Sequence, residues 1–185
     1  SVCYCFGDCK ETYISKFEAN TPQHNLIKGY ICRKPNRFLG SLLINEINGE
    51  KVEYFVQSMP KIHYFEDERD MTGYGVAFEK LDGSCLILYP LFNSKDELIE
   101  IVPKTRGRAV ADKHFIELYN KIDHSNIEWY FEKNNTAVLF FEMYGILNQH
   151  EILHYQTGID IALIGAYKNN HFYKAQSIID LANTY

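Results

Sequence analysis

A chain of 185 residues with a formal net charge of −5 is long enough to bury a core without disulfides or a structural metal. The acidity argues against nucleic-acid binding spread over the whole surface, because phosphate contacts need Lys and Arg, and it leaves room only for a local basic strip. No uninterrupted apolar stretch is long enough to cross a bilayer and no secretory leader opens the sequence, so the expectation is one domain over residues 1–185, intracellular and cytoplasmic, with no membrane partner.

At the start, Cys3, Cys5 and Cys9 are bunched, while Cys32 and Cys85 are dispersed. An odd number of cysteines is a poor match to a disulfide framework, and the bunch has no partner cluster at zinc-finger spacing, so reduced thiols and no metal site are expected. Leu42-Leu43-Ile44, then Asn48-Gly49, then Val52, Tyr54 and Val56 alternating with polar residues predict a hairpin. Tyr74, Val76 and Phe78 alternate up to Lys80, and Cys85 to Tyr89 resumes as a more apolar strand, which places Lys80 at a strand end beside the turn Leu81-Asp82-Gly83. Leu98 to Val102 predicts another strand, leading into the basic strip Lys104-Thr105-Arg106-Gly107-Arg108. Between Ala109 and Asp123 the period becomes helical, with Phe115, Leu118, Tyr119 and Ile122 on one face and Asp112 near the start. Strands are predicted at Ile127 to Phe131, Ala137 to Tyr144, Ile152 to Tyr155 and Ile161 to Tyr167, and a short helix at Ser177 to Ala182. Antiparallel hairpins with few helices predict an α+β domain, not the strand-helix alternation of a parallel sheet. The seven histidines are scattered and match no metal or nucleophile spacing.

Lys80-Leu81-Asp82-Gly83-Ser84 has the form of a lysine facing a pocket beside a turn that a nucleotide can approach, since Gly83 carries no side chain to block it. Alone, the pattern also fits an ordinary hairpin turn. Two further blocks follow it: Lys104-Thr105-Arg106-Gly107, and Phe141-Glu142-Met143-Tyr144-Gly145. In this order and spacing the three blocks resemble those of the covalent nucleotidyltransferases, the superfamily of ATP-dependent RNA and DNA ligases and mRNA capping guanylyltransferases. The likeness is best to the phage-type RNA ligases and extends over about Arg33 to Tyr167, including Gly40 to Glu46 and Ser58 to Phe65 upstream. Ser84 after the glycine looks more like RNA ligases, and the position where DNA ligases usually carry arginine is Leu86.

The resemblance implies an antiparallel-sheet nucleotidyltransferase domain with an ATP cleft between its sheets. Lys80 would be the nucleophile, forming lysyl-AMP, passing AMP to an RNA 5′-phosphate and allowing a 3′-hydroxyl to displace it. Glu79 would position adenine through its backbone, Asp82 and Gly83 would belong to the nucleotide-binding turn, and Lys104 and Arg106 would meet phosphate. Glu142 would accept from the ribose, and Arg37 would contact phosphate or ribose, with Arg33 an equal competitor. The implied cofactors are ATP and Mg²⁺. A free lysine, with a pKa of about 10.4, is protonated at neutral pH and must lose its proton before attacking phosphorus; Mg²⁺ and Arg106 are the cations that oppose the ammonium. The family's Glu-Gly and Lys-x-Lys blocks do not occur before Tyr185, which implies absent C-terminal strands. The alternatives are a capping guanylyltransferase using GTP, or a nucleotide- or RNA-binding remnant that does not ligate.

Overall fold

The computed structural model of the chain describes residues 2–61, 78–152 and 154–185. Among them, two antiparallel sheets and four α-helices make an α+β architecture. The first sheet is a meander of β1 (Ile14–Asn20), β2 (Leu26–Cys32), β3 (Leu42–Ile47) and β4 (Glu50–Val56), in that order. The second contains β5 (Ser84–Phe92), β6 (Leu98–Lys104), β7 (Val138–Tyr144), β8 (Asp160–Lys168) and β9 (His171–Phe172), ordered β6-β5-β7-β8-β9. The helices are α1 (Val2–Cys5), α2 (Lys113–Tyr119), α3 (Ser125–Glu132) and α4 (Ala175–Thr184).

Strand alternation sorts the apolar side chains onto faces. Ile27, Ile31, Leu42, Ile44 and Val56 of the first sheet meet Ile87, Tyr89, Leu91, Val102, Val138 and Phe140 of the second, forming the core between the sheets. Leu86, Leu88, Leu139, Phe141 and Met143 point the other way, onto Leu118, Tyr130, Phe131 and Ile178 of the helices. Phe6 and Cys9 of the amino-terminal segment cover Leu43 and Cys32 on the outer face of the first sheet.

The Asn48-Gly49 hairpin forms as predicted, with φ of 51° and 87° at the two turn residues and Ile47 paired to Glu50. Strands β5, β6, β7 and β8 and helix α4 lie where the pattern puts them, with β6 running on to Lys104. The predicted helix over Ala109 to Asp123 is shorter: Asp112 caps α2, its side chain accepting from the Phe115 amide at 3.4 Å, and α2 ends at Tyr119. Ala109 and Ala111 are instead tied to the second sheet, through Tyr89 Oη donating to the Ala109 carbonyl at 2.8 Å and the Ala111 amide to Pro103 at 2.8 Å.

Two predicted strands are not strands. Ile127 to Phe131 lies in helix α3. Ile127, Tyr130 and Phe131 stand three and four residues apart, a helical stripe that the run of aromatics disguised as β-propensity, and Tyr130 and Phe131 are the buried members. Ile152, His154 and Tyr155 lie in loop and turn, where the Ile152 amide is committed to a side chain instead of a ladder. Tyr74 and Val76, and Ile62 to Phe65 upstream, fall outside the described residues, while Phe78 to Lys80, expected to end a strand, has no regular structure. Strands β1 and β2 were not predicted. No helix among the described residues is long and apolar enough to cross a membrane.

Two polar clamps join the sheets. Glu100 on β6, 4 % exposed, accepts from Thr21 Oγ1, from the Gln23 amide at 3.0 Å and from Asn25 Nδ2 at 2.8 Å, all around the β1–β2 turn. Lys104 at the end of the same strand is fully buried and donates through Nζ to the carbonyls of Gly40, in the β2–β3 connection, and Thr105, each at 3.0 Å. Hydrogen bonds to a charged group contribute about 1.5–3 kcal/mol each, and removing the acceptor strands its donors. Glu100→Ala is therefore expected to lower the unfolding free energy by about 3 kcal/mol in urea titration. A loss below about 1 kcal/mol would show that the β1–β2 turn holds without this carboxylate.

Candidate active site

The turn before β5 and the end of β7 are built against each other. Ser84 pairs with Met143 and Cys85 with Glu142 in the antiparallel register. Gly83 donates its amide to Glu142 Oε1 at 3.0 Å, and a Cβ on Gly83 would stand 2.1 Å from the Met143 carbonyl oxygen. Only glycine permits that approach. Phe141 and Met143 are turned to the helices, so Glu142 between them is directed to the face shared with the first sheet. Phe78, Glu79 and Lys80 are exposed and extend from this turn without regular structure.

The electrostatics define one corner of the molecule. Burial pushes the Glu142 carboxyl up, opposed by the Gly83 amide, by the charge of Lys80 and by His150. The Asp82 carboxyl is held below the usual range, first by the Ile152 amide donating at 2.7 Å, then by the Glu151 amide, His150 and Lys80. Lys80, Asp82, Gly83 and Glu142 are thus brought together.

The floor beside this corner is cationic. The Cys85 thiol is pushed up to about 11 by burial, and Arg106 and Lys104 act against that rise. Burial takes Lys104 down to about 7, with the positive charges of Arg106 and Arg33 adding to the shift. Arg106 is half-buried, and its Nε is enclosed with no hydrogen-bond partner among the described residues. Arg33 Nη1 donates to the Gly107 carbonyl at 2.7 Å, lacing the β2–β3 connection to the turn after β6. No Arg or Lys of this floor takes part in an ion pair among the described residues.

The other named residues stand apart. Arg37 lies with its guanidinium 4.6 Å from the Phe38 ring centroid, and its charge reaches the Tyr167 phenol on β8. Glu79 is exposed and acts on the Tyr144 phenol. No hydrogen bond among the described residues joins either to the Lys80 corner. Lys104, expected to meet phosphate, is instead fully buried and spends two of its donors on backbone carbonyls, so its Nζ is not presented at the surface.

Three residues here were not singled out by the sequence. Cys85 stands opposite Glu142 in the β5–β7 register, Asn148 is 8 % exposed and bonds to Ser84, and His150 Nε2 lies 3.1 Å from the Ser84 oxygen. Their only signal was closeness along the chain to the two motifs. Cavities of ≈ 380 Å³ (between β6, α2 and α3) and ≈ 270 Å³ (between α3, α4 and the second sheet) lie elsewhere, and neither is lined by these residues.

No protein-family model matches the chain, and no curated protein matches its sequence. Among the described residues, no three or more His, Cys, Asp or Glu side chains are grouped to hold a metal ion.

Lys104 gives this corner a pH signature. Its proton is held to the ordinary lysine value of 10.5 when unfolded but only to about 7 when folded, so between these limits the unfolded chain binds more protons. Stability relative to Lys104→Met is expected to rise across that window, by up to about 1.4 kcal/mol per pH unit. Urea unfolding of both proteins from pH 6 to pH 10, roughly the span between the two values, reads this directly, and a flat difference would place the ammonium in a solvated site.

Proposed function

We propose that the chain carries the adenylylation centre of an ATP-dependent RNA ligase, with Lys80 as the nucleophile. The observation that carries the reading is the hydrogen bond from the Gly83 amide to Glu142, which joins the Lys-x-Asp-Gly turn to the Phe-Glu-x-x-Gly strand across 59 residues of sequence. Exposed Arg33 and half-buried Arg106 lie beside that junction and support the placement of a polyphosphate there, with the buried Lys104 beneath them holding the Gly40 and Thr105 carbonyls.

In the proposed reaction the neutral Lys80 amine attacks the α-phosphorus of ATP, an N–P bond forms, pyrophosphate leaves, and the ammonium proton passes to solvent. Arg106, half-buried at this corner, would stabilise charge on the phosphates through its guanidinium. Glu142 keeps one carboxylate oxygen for the ribose while the other holds the turn. Mg²⁺, carried on the nucleotide phosphates, supplies further charge neutralisation. AMP then passes to an RNA 5′-phosphate, and the 3′-hydroxyl of the other RNA end displaces it; the covalent intermediate divides one difficult displacement into easier ones.

Burial lowers the second lysine of the site, Lys104, to about 7, which by itself would make it a candidate nucleophile. Access decides against it: Lys104 is fully buried and its Nζ is bonded to two carbonyls, whereas Lys80 is exposed beside Glu142.

Intact-protein mass after incubation with ATP and Mg²⁺ at mildly alkaline pH is expected to show one added AMP, absent from Lys80→Ala. An adduct formed with GTP and not ATP would indicate a guanylyltransferase. No adduct with either nucleotide, from folded protein, would overturn the covalent mechanism and leave a nucleotide- or RNA-binding role.

A further inference from the structure

The turn that carries Lys80 is fastened from both sides of Gly83 by one short segment, residues 145–152. Asn148 Nδ2 donates to the Met143 carbonyl at 2.7 Å and to Ser84 Oγ at 3.3 Å, so one buried amide bridges β7 and β5. His150 Nε2 stands 3.1 Å from the same Ser84 oxygen. The Ile152 amide donates to Asp82 Oδ2 at 2.7 Å. The segment has a firm base: Ile146 and Leu147 donate their amides to Thr157 and Gly158 at 2.9 and 3.0 Å, and Asn148 donates its own to Gly145 at 3.0 Å. Gly145, with φ of 132°, is the residue that lets the chain leave β7 in this direction, since a Cβ there would meet the Gly158 carbonyl at 2.7 Å.

We infer that residues 145–152 form a bracket that fixes the Lys80 turn, and that His150 is the positioning residue that completes it through Ser84. The inference rests on the ligase reading for its catalytic consequence, but not for its geometry. Asp82 and Ser84 flank Gly83, so holding both fixes the plane of the Gly83 amide and with it the bond to Glu142. Among the described residues Lys80 has no other anchor of this kind, so its direction follows the turn. Small displacements of a reacting group are costly in rate while substrate contacts remain, which makes a bracket of this type visible in the chemical step before it is visible in affinity.

The contacting nitrogen makes the role specific. A glutamine amide nitrogen or oxygen reaches about as far as Nε2 of histidine, and can donate to or accept from Ser84 whichever tautomer the imidazole adopts. An asparagine is one bond shorter and matches Nδ1 instead. Rescue by Gln also separates hydrogen bonding from charge, because a glutamine at this position carries no charge to act on Asp82 or Glu142.

The test compares the wild type with His150→Ala, His150→Asn, His150→Gln, Ser84→Ala and the Ser84→Ala/His150→Ala double variant. The readouts are single-turnover lysyl-AMP formation, ATP affinity and amide exchange of Gly83 by NMR. His150→Ala and His150→Asn are expected to slow adduct formation about tenfold with ATP affinity within about threefold, while His150→Gln recovers most of the rate. The double variant should be no slower than Ser84→Ala, since one interaction is being removed twice. Gly83 exchange should quicken in His150→Ala and return in His150→Gln. Unchanged rates, additive losses, or a loss that Gln does not recover would overturn the positioning role. If the wild type forms no adduct, the ligase reading falls, and Gly83 exchange alone decides the bracket: equal exchange in all variants overturns it.

Discussion

Strand β6 carries two buried charges of opposite sign, and each is satisfied by a turn of the other sheet. Glu100 gathers Thr21, Gln23 and Asn25 from the β1–β2 turn, and Lys104 reaches the Gly40 carbonyl in the β2–β3 connection. Apolar packing alone would let two twisted sheets slide, because burial is non-directional. Charged groups taken out of water are tolerated only where hydrogen bonds meet them, so the two clamps fix the sheets in one register. The cost of the second clamp is visible in Lys104, which burial drives to about 7.

The site follows from that constraint. Fixing Gly40 against β6 brings the β2–β3 connection onto the turn after Lys104, where a Cβ on Gly40 would stand 1.9 Å from the Arg106 carbonyl oxygen; its φ of 81° belongs to the same requirement. Arg33 is then laced to Gly107, and Arg106 is left half-buried with an Nε that has no partner among the described residues. The positive floor is thus a product of sheet-to-sheet register. The carboxylate side of the corner is a product of β5–β7 pairing, which sets Cys85 opposite Glu142 and allows Gly83 to close on β7. In the proposed reaction these two halves serve opposite ends of one nucleotide, with Lys80 at their junction.

Much of this was legible in the sequence where local chemistry decides the outcome. Asn48-Gly49 dictates its turn, and short apolar runs locate β5, β6, β7 and β8. The segment of α3 is ambiguous in sequence, because its aromatic content favours a strand while the three-and-four spacing of Ile127, Tyr130 and Phe131 favours a helix, and packing of those rings on the second sheet decides for the helix. Lys104 was legible as charge but not as burial, since lysine beside Arg106 and Arg108 looks like a solvated strip until the opposite sheet arrives. Asn148 and His150 carried no periodicity or motif at all. What they do depends on Ser84, 64 and 66 residues away, so only the folded chain reveals it.

The claim on which the account turns is that position, not acidity, selects the reactive lysine. Tandem mass mapping of peptides from the protein after incubation with ATP and Mg²⁺, under conditions that preserve the N–P bond, addresses it directly. The account predicts AMP on Lys80 and none on Lys104. AMP on Lys104, or on any other lysine with Lys80 unmodified, would contradict it.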